Sequence, residues 1–346
     1  GCLVGWLSWI SRLFSFATIA NLAITYAGGF APNIVSGWPR AACIVIGSAL
    51  LTYLVLSGVR RSAVLNNALT ACKVLLLGGF VAVCLPAADF SQIEVTAPPS
   101  LVEWQTAAML MAYAFLGVES AMITSGEMKN PRADVPFALG VGLACIALLY
   151  IAIQIACIGT LPELASSQRP LVDATERVLG PTGAHIVNVG ALLTMLGTLF
   201  AILMTGARLP FAFAEQGQLP AVFASVHPES RAPHVAIVVS GVCACLLALY
   251  TSFLGALVVS ALTRLVGYVT TCAAVIVLRR RSGATDRAGF QVPAGVAIAT
   301  LAIVACVWMM LGSSLTEAVV VVGLGLLGLA LSGGYVWLRR RGGKLA

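Results

Sequence analysis

Long apolar stretches separated by short polar segments follow one another along the whole chain. Bilayer hydrocarbon is about 30 Å thick, so a crossing helix needs roughly 20 mostly apolar residues. The pattern predicts ten membrane-spanning helices, at 5–30, 41–57, 65–85, 102–124, 135–159, 185–205, 235–253, 256–278, 294–311 and 315–338. In the polar segment between the fifth and sixth spans, residues 171–179 are expected to form a short surface helix.

Composition agrees with this pattern. Hydrophobic residues make up 60% of the chain and charged residues 10%, and the mean hydropathy is +0.98. A soluble domain of this size needs far more charge to cover its surface. We therefore expect an all-α membrane protein in which residues 1–346 form a single transmembrane domain.

The basic residues define an orientation for these spans. Of the twenty Lys and Arg residues, fourteen fall in one set of alternate loops and the C-terminal tail. Only Arg40, Arg169 and Arg177 fall on the opposite side. Because cytoplasmic loops are enriched in Lys and Arg, both chain ends are predicted to face the cytoplasm of a cell membrane. The net charge of +7 then reflects topology and does not indicate a nucleic-acid partner.

Motifs for metals, cofactors or catalysis are missing from the sequence. The ten cysteines lie almost wholly in apolar stretches without a CxxC pair, as small buried hydrophobic residues do. HExxH, GxSxG and phosphate-binding loops do not occur. We expect no cofactor, no metal and no enzymatic activity.

Four ionisable residues inside the spans are the candidates for function, namely Arg12, Lys73, Glu119 and Arg264. A charge in a span costs on the order of 2.5–3.5 kcal/mol, so such residues are rare unless they have a role. A buried Lys73 suits proton-coupled transport because it can release and regain a proton. The alternative is a lysine that extends to the nearby cytoplasmic surface.

Glu119 lies beside Gly117, and glycine weakens a helix. The carboxylate is either an ion, proton or amine site or a structural partner of Arg264 or Arg12. The two arginines stay protonated. They form structural ion pairs, or they bind a substrate carboxylate or take part in gating. Thr194 and Thr198, one helical turn apart, give only a weak signal because such hydroxyls often bond their own helix.

Three segments of the chain carry specific motifs. They are Y-A-F-L-G-V-E-S-A at 113–121 with E-M-K-N-P-R at 127–132, G-A-R-L-P-F-A-F-A-E-Q-G-Q-L-P at 206–220 with R-A-P at 231–233, and L-N-N-A-L-T-A-C-K at 65–73. Together they resemble the APC (amino acid–polyamine–organocation) transporter superfamily. One departure is Ala133, which stands where the family has a basic residue. The resemblance implies a LeuT-like fold of two inverted five-helix repeats whose first and sixth helices are unwound at the substrate site.

In that fold, the visible spans would be helices three to twelve of twelve, with the first two missing from an N-terminally truncated chain. Residues 1–85 would be the rest of the first repeat, 101–278 the second repeat and 294–338 the last two helices.

The resemblance also implies roles for individual residues. Tyr113 would be an aromatic lid over the substrate, and the broken backbone at Ala114, Phe115, Leu116 and Gly117 would receive its amino group, with Leu116 facing it. Lys73 would occupy the place of a sodium ion, as in proton-coupled permeases. Glu119 and Arg264 would serve in coupling or gating, and Arg12 would approach the side-chain pocket.

The function implied is secondary active transport of amino acids across the cytoplasmic membrane by alternating access, coupled to protons. The partners would be an amino acid or amine, protons and the lipid bilayer. An exchanger of amino acids or polyamines and a non-transporting substrate-sensing subunit are the alternatives.

Overall fold

Every regular element in the part of the chain that the structure describes is helical. In this computed structural model, the described residues are 2–57, 59–92, 98–117, 131–228, 232–280 and 293–342. They form eleven α-helices: α1 (Cys2–Ala27), α2 (Gly37–Leu56), α3 (Val59–Cys84), α4 (Leu101–Ala114), α5 (Pro131–Thr160), α6 (Pro170–Gly206), α7 (Arg208–Glu215), α8 (His234–Tyr250), α9 (Phe253–Arg280), α10 (Gly295–Leu311) and α11 (Leu315–Gly342). The all-α membrane fold predicted from the sequence is confirmed.

Nine of the ten predicted spans correspond to apolar helices among the described residues. Seven helices are long and apolar enough to cross a membrane, counting α6 and α7 as one, while α8 and α10 are apolar but have 17 residues each. The predicted span 102–124 differs. Its helix α4 ends at Ala114, a turn follows to Gly117, and residues 118–124 lie outside the described part.

Helix α1 lies at the centre of the bundle and packs against α6, α8, α9 and α11. A helix that is apolar on all sides is suited to such a buried position. Its Trp6 lies against Gly328 of α11, where an added Cβ would stand 2.2 Å from the indole ring. The absence of a side chain at Gly328 therefore lets α11 approach α1 closely. In this position, the Trp6 indole N–H donates to the Leu324 carbonyl at 2.9 Å.

Helix α6 contains a sharp bend at Gly180, whose φ of 72° lies in the left-handed region that favours glycine. Pro181 begins the second part of the helix, where a missing N–H costs little. The first part starts at Pro170, which confirms the predicted short helix at 171–179. The second part contains the predicted sixth span.

A hydrogen-bonded contact joins α1, α2 and the C-terminal end of α8. The Arg40 guanidinium donates to the Asn21 side-chain oxygen and, at 3.2 Å, to the Ala248 carbonyl. The Asn21 amide donates to the carbonyls of Ala248 and Thr251 at 3.3 and 3.1 Å. A cation at a helix C-terminus is favourable, so this contact gives Arg40 a structural role.

Candidate functional site

The end of α4 is the first element of the candidate site. The Phe115 N–H is shared between the carbonyls of Met111 and Ala112, and the Leu116 N–H bonds the Tyr113 carbonyl at 3.0 Å. Gly117 then adopts a φ of 109°, which side chains rarely tolerate. The helix therefore ends at Ala114, and a turn follows to Gly117. The resemblance implies a break in this same interval. The roles of Ala114, Phe115, Leu116 and Gly117 toward a substrate stay predictions.

Tyr150 of α5 holds this helix end from the side. Its hydroxyl donates to the Ala114 carbonyl at 3.2 Å, and its ring meets the Phe115 ring edge-on with centroids 5.4 Å apart. Carbonyls at a helix end have no partner in their own helix, so a neighbouring donor satisfies them. The sequence gives no motif around Tyr150 that would have revealed this contact.

A row of buried hydroxyls joins α1 to α9. The Ser260 hydroxyl lies 3.1 Å from that of Ser11 and 2.7 Å from that of Ser15. Ser11 and Ser260 also donate to each other's carbonyl oxygens, both at 2.9 Å. The Tyr113 hydroxyl lies near the side chains of Ser15 and Thr18. This row brings the last turn of α4 into contact with the centre of the bundle.

Arg264 and Arg12 lie beside this row, and each is 8% exposed. The Arg264 Nε donates to the Ser11 hydroxyl at 3.1 Å, and an Arg12 terminal nitrogen donates to the Thr205 hydroxyl at 2.7 Å. The two guanidinium groups lie close enough for their charges to repel each other. Glu119, the partner that the sequence suggested for either arginine, lies outside the described residues.

A small cleft opens next to Arg12, between α1, α6 and α8. Its walls include Phe16, Ile202, Gly206 and Ser240. The Trp9 indole N–H donates to the Ser240 hydroxyl at 3.1 Å, so a polar group of the cleft is held by α1 itself. Arg12 is the charged side chain of this lining.

Lys73 forms a separate contact between α3 and α6. Its ammonium group donates to the Thr198 hydroxyl at 3.0 Å, and Thr198 in turn donates to the Thr194 carbonyl at 2.8 Å. The side chain is therefore turned toward a neighbouring helix. The Thr194 hydroxyl is buried and has no hydrogen-bond partner within the described segments. Thr198, one of the two threonines that gave only a weak signal in the sequence, is thus a direct partner of Lys73.

The structure brings Tyr113, Arg12 and Arg264 together around α1, whereas Lys73 of α3 forms its contact separately, with Thr198 of α6. Among the described residues, no group of three or more His, Cys, Asp and Glu side chains is arranged to hold a metal ion. The chemistry that this arrangement offers is hydrogen bonding and charge, from hydroxyls, backbone carbonyls, two guanidinium groups and one ammonium group.

Similar proteins of known name are a transporter, a permease and an antiporter. The chain is 28% identical over 309 residues to the methylthioribose transporter of Bacillus subtilis (strain 168), covering 88% of this chain and 66% of that protein. It is 27% identical over 318 residues to the branched-chain amino acid permease BcaP of the same organism, covering 89% and 66%. An arginine/ornithine antiporter of Pseudomonas aeruginosa is 31% identical over 229 residues, covering 62% and 47%.

The chain thus spans slightly less than two thirds of the first two relatives and about half of the third. A family model described as "Amino acid permease" matches residues 1–329, nearly the whole chain. The match covers α1 to α10 and about half of α11, including the broken end of α4. The chain therefore belongs to the amino acid permease family, within the APC superfamily that its motifs resemble.

Proposed function

We propose that this protein is a secondary active transporter that moves amino acids across the cell membrane by alternating access, with its C-terminus in the cytoplasm. The observation that carries the proposal is the end of α4 at Ala114, beside a centre of buried hydroxyls and guanidinium groups. Irregular backbone at membrane depth is tolerated where it lines a cavity or lies within protein, and transporters use it to bind substrate. The family match and the names of the relatives support amino acids as the substrate class.

In this proposal, the turn at 114–117 receives the substrate's ammonium group through its carbonyl oxygens. Tyr113, in the last turn before the break, closes over the bound amino acid from its position next to Ser15 and Thr18. Opening on one side and then the other requires the helices around this turn to repack. During such a repacking, the hydrogen bonds of Tyr150 and Ser260 would either break or move together with the helices that they join.

Protons are the coupling ion in the proposal, and Lys73 is their carrier. A charged lysine donates to Thr198 and thereby ties α3 to α6. A neutral amine is a weaker donor, since hydrogen bonds with an ionised partner are roughly twice as strong as neutral ones. Loss of the proton would therefore loosen the α3–α6 contact. Glu119 is the second candidate for coupling or gating.

Uptake into proteoliposomes tests the proposal. The protein would be expressed with any residues that are encoded in frame ahead of Gly1, and then reconstituted. Labelled amino acids would be offered with and without a proton gradient. Proton-driven accumulation that a protonophore abolishes supports the symporter. Exchange that is independent of protons supports an antiporter, which the names of the arginine/ornithine relatives favour as the second candidate. Saturable binding without any flux would contradict transport and favour a sensing subunit.

A further inference from the structure

We propose that the buried centre selects amino acids with a second carboxylate, and that Arg12 and Arg264 determine this specificity. The inference rests on the proposed transport function, because it names the substrate class of the same site. It separates this chain from those relatives whose names specify arginine, ornithine or cationic amino acids.

The charges within the predicted spans favour an anionic ligand. Away from their ends, the spans contain Arg12, Lys73 and Arg264 as cations, but only Glu119 as an anion. The guanidinium groups cannot lose their charge, because arginine stays protonated in proteins. With all four groups ionised, these spans carry an excess of positive charge. A ligand that brings a net negative charge reduces this excess, and a cationic ligand increases it.

Arg264 lies close to the proposed ammonium-binding turn. It is within electrostatic range of Tyr113, which stands one residue before the end of α4, and α4 packs against α9. A guanidinium group so close to the proposed ammonium-binding turn lies within the reach of an amino acid side chain. Arg12 adds a second positive charge within electrostatic range of the first.

The Arg264 guanidinium is held in place by a hydrogen bond. The Ser11 hydroxyl accepts from its Nε, while Ser260 bonds both Ser11 and Ser15. A fixed guanidinium in a site with little water binds carboxylates strongly and with defined geometry. Buried charges are costly without partners, so the same group penalises a side chain that is cationic. A glutamate or aspartate side chain meets both requirements.

Competition experiments in proteoliposomes test the inference. Uptake of labelled L-glutamate would be competed with unlabelled glutamate, aspartate, leucine and arginine. We expect the two acidic amino acids to compete at least about tenfold better than arginine. In Arg264→Gln, the apparent affinity for glutamate should fall about tenfold while that for leucine stays the same, and Arg264→Lys should recover part of the loss. Arg177→Gln, at an exposed position of α6, is the matched control and should change neither.

Thermal stabilisation of the detergent-solubilised protein by glutamate, leucine and arginine would be measured in parallel. Arginine uptake or stabilisation equal to that of glutamate would overturn the inference and leave transport standing. An equal loss of affinity for all ligands in Arg264→Gln would also overturn it, because that is the behaviour of a structural residue. Glutamate stabilisation that depends on Arg264, without flux of any amino acid, would overturn the transport function and keep the specificity. Neither flux nor stabilisation would overturn both.

Discussion

The hydroxyl of Tyr150 donates a hydrogen bond of 3.2 Å to the carbonyl of Ala114, the last residue of α4. This bond joins the broken helix to α5 at the level where the proposed substrate is bound. The adjoining contact between the rings of Tyr150 and Phe115 is independent of the hydroxyl. The two contributions can therefore be separated by substitution.

Tyr150→Phe keeps the ring contact and removes the donor. The loss of one hydrogen bond to a backbone carbonyl costs about 1 kcal/mol. We expect the melting temperature in detergent to fall by about 2 °C, and the KM for substrate to rise because the turn is less well held. Tyr150→Leu, which also removes the edge-on ring contact, should cost more. Equal stability and KM in wild type and Tyr150→Phe would show that the bond does not hold the turn.

Thr198 and Thr194 provide a matched pair for testing the environment of Lys73. Thr198→Val is nearly isosteric and removes the acceptor of the Lys73 ammonium. We expect it to weaken uptake driven by a proton gradient several-fold, since the half-buried Lys73 ammonium loses a hydrogen-bond acceptor. Thr194→Val removes a buried hydroxyl with no partner among the described residues, so uptake and stability should be unchanged or improved. Equal losses in both variants would contradict the assignment of Thr198 as the partner.

Substitution of Gly117 tests whether the interruption of α4 depends on the backbone conformation of this residue. A Cβ at this position would meet nothing within 4 Å, so Gly117→Ala adds no steric clash, but a φ of 109° is strained for alanine. The strain is on the order of 1–3 kcal/mol, and we expect the variant to lose most of its uptake. Gly323→Ala in α11, which also points into open space but has no unusual φ, is the control and should behave as wild type. Full activity of Gly117→Ala would mean that the turn is not required.

Substitution of Arg40 tests the hydrogen-bonded contact that joins α1, α2 and α8. Arg40→Ala removes hydrogen bonds from a charged group to Asn21 and to the C-terminal end of α8. Such bonds contribute about 1.5–3 kcal/mol each at most, so a lower melting temperature is expected, with substrate preference unchanged. Arg177→Ala, at an exposed position of the same predicted side of the membrane, should leave the melting temperature unchanged. An altered substrate preference in Arg40→Ala would assign this residue to the site instead.

The fold was largely predictable because the length and hydropathy of each stretch fix where a helix crosses a membrane. The end of α4 was not predictable from hydropathy, which gave a continuous span to residue 124; the family resemblance implied the break at 114–117, where Gly117 permits a conformation that other residues avoid. The identity of the charged candidates was predictable because charges in spans are costly and hence conspicuous. These features depend on one segment at a time.

The contacts between helices were not predictable in the same way. Ser11 and Ser260 are 249 positions apart, and Lys73 and Thr198 are 125 apart. Helices that are apolar on all sides carry no stripe that tells which face meets which neighbour. The rotation of each helix therefore had to be read from the structure. Tyr150 and Thr205 were missed for this reason, and Thr198 received too little weight.

Accumulation of amino acid by proteoliposomes under an imposed proton gradient, in wild type and in Lys73→Ala, tests the central claim most directly. We predict that wild type concentrates substrate above its external level until a protonophore is added. Lys73→Ala should lose this accumulation and retain counterflow of unlabelled against labelled substrate, because the site remains and only the coupling is lost. Gradient-driven accumulation that persists in Lys73→Ala would contradict the account.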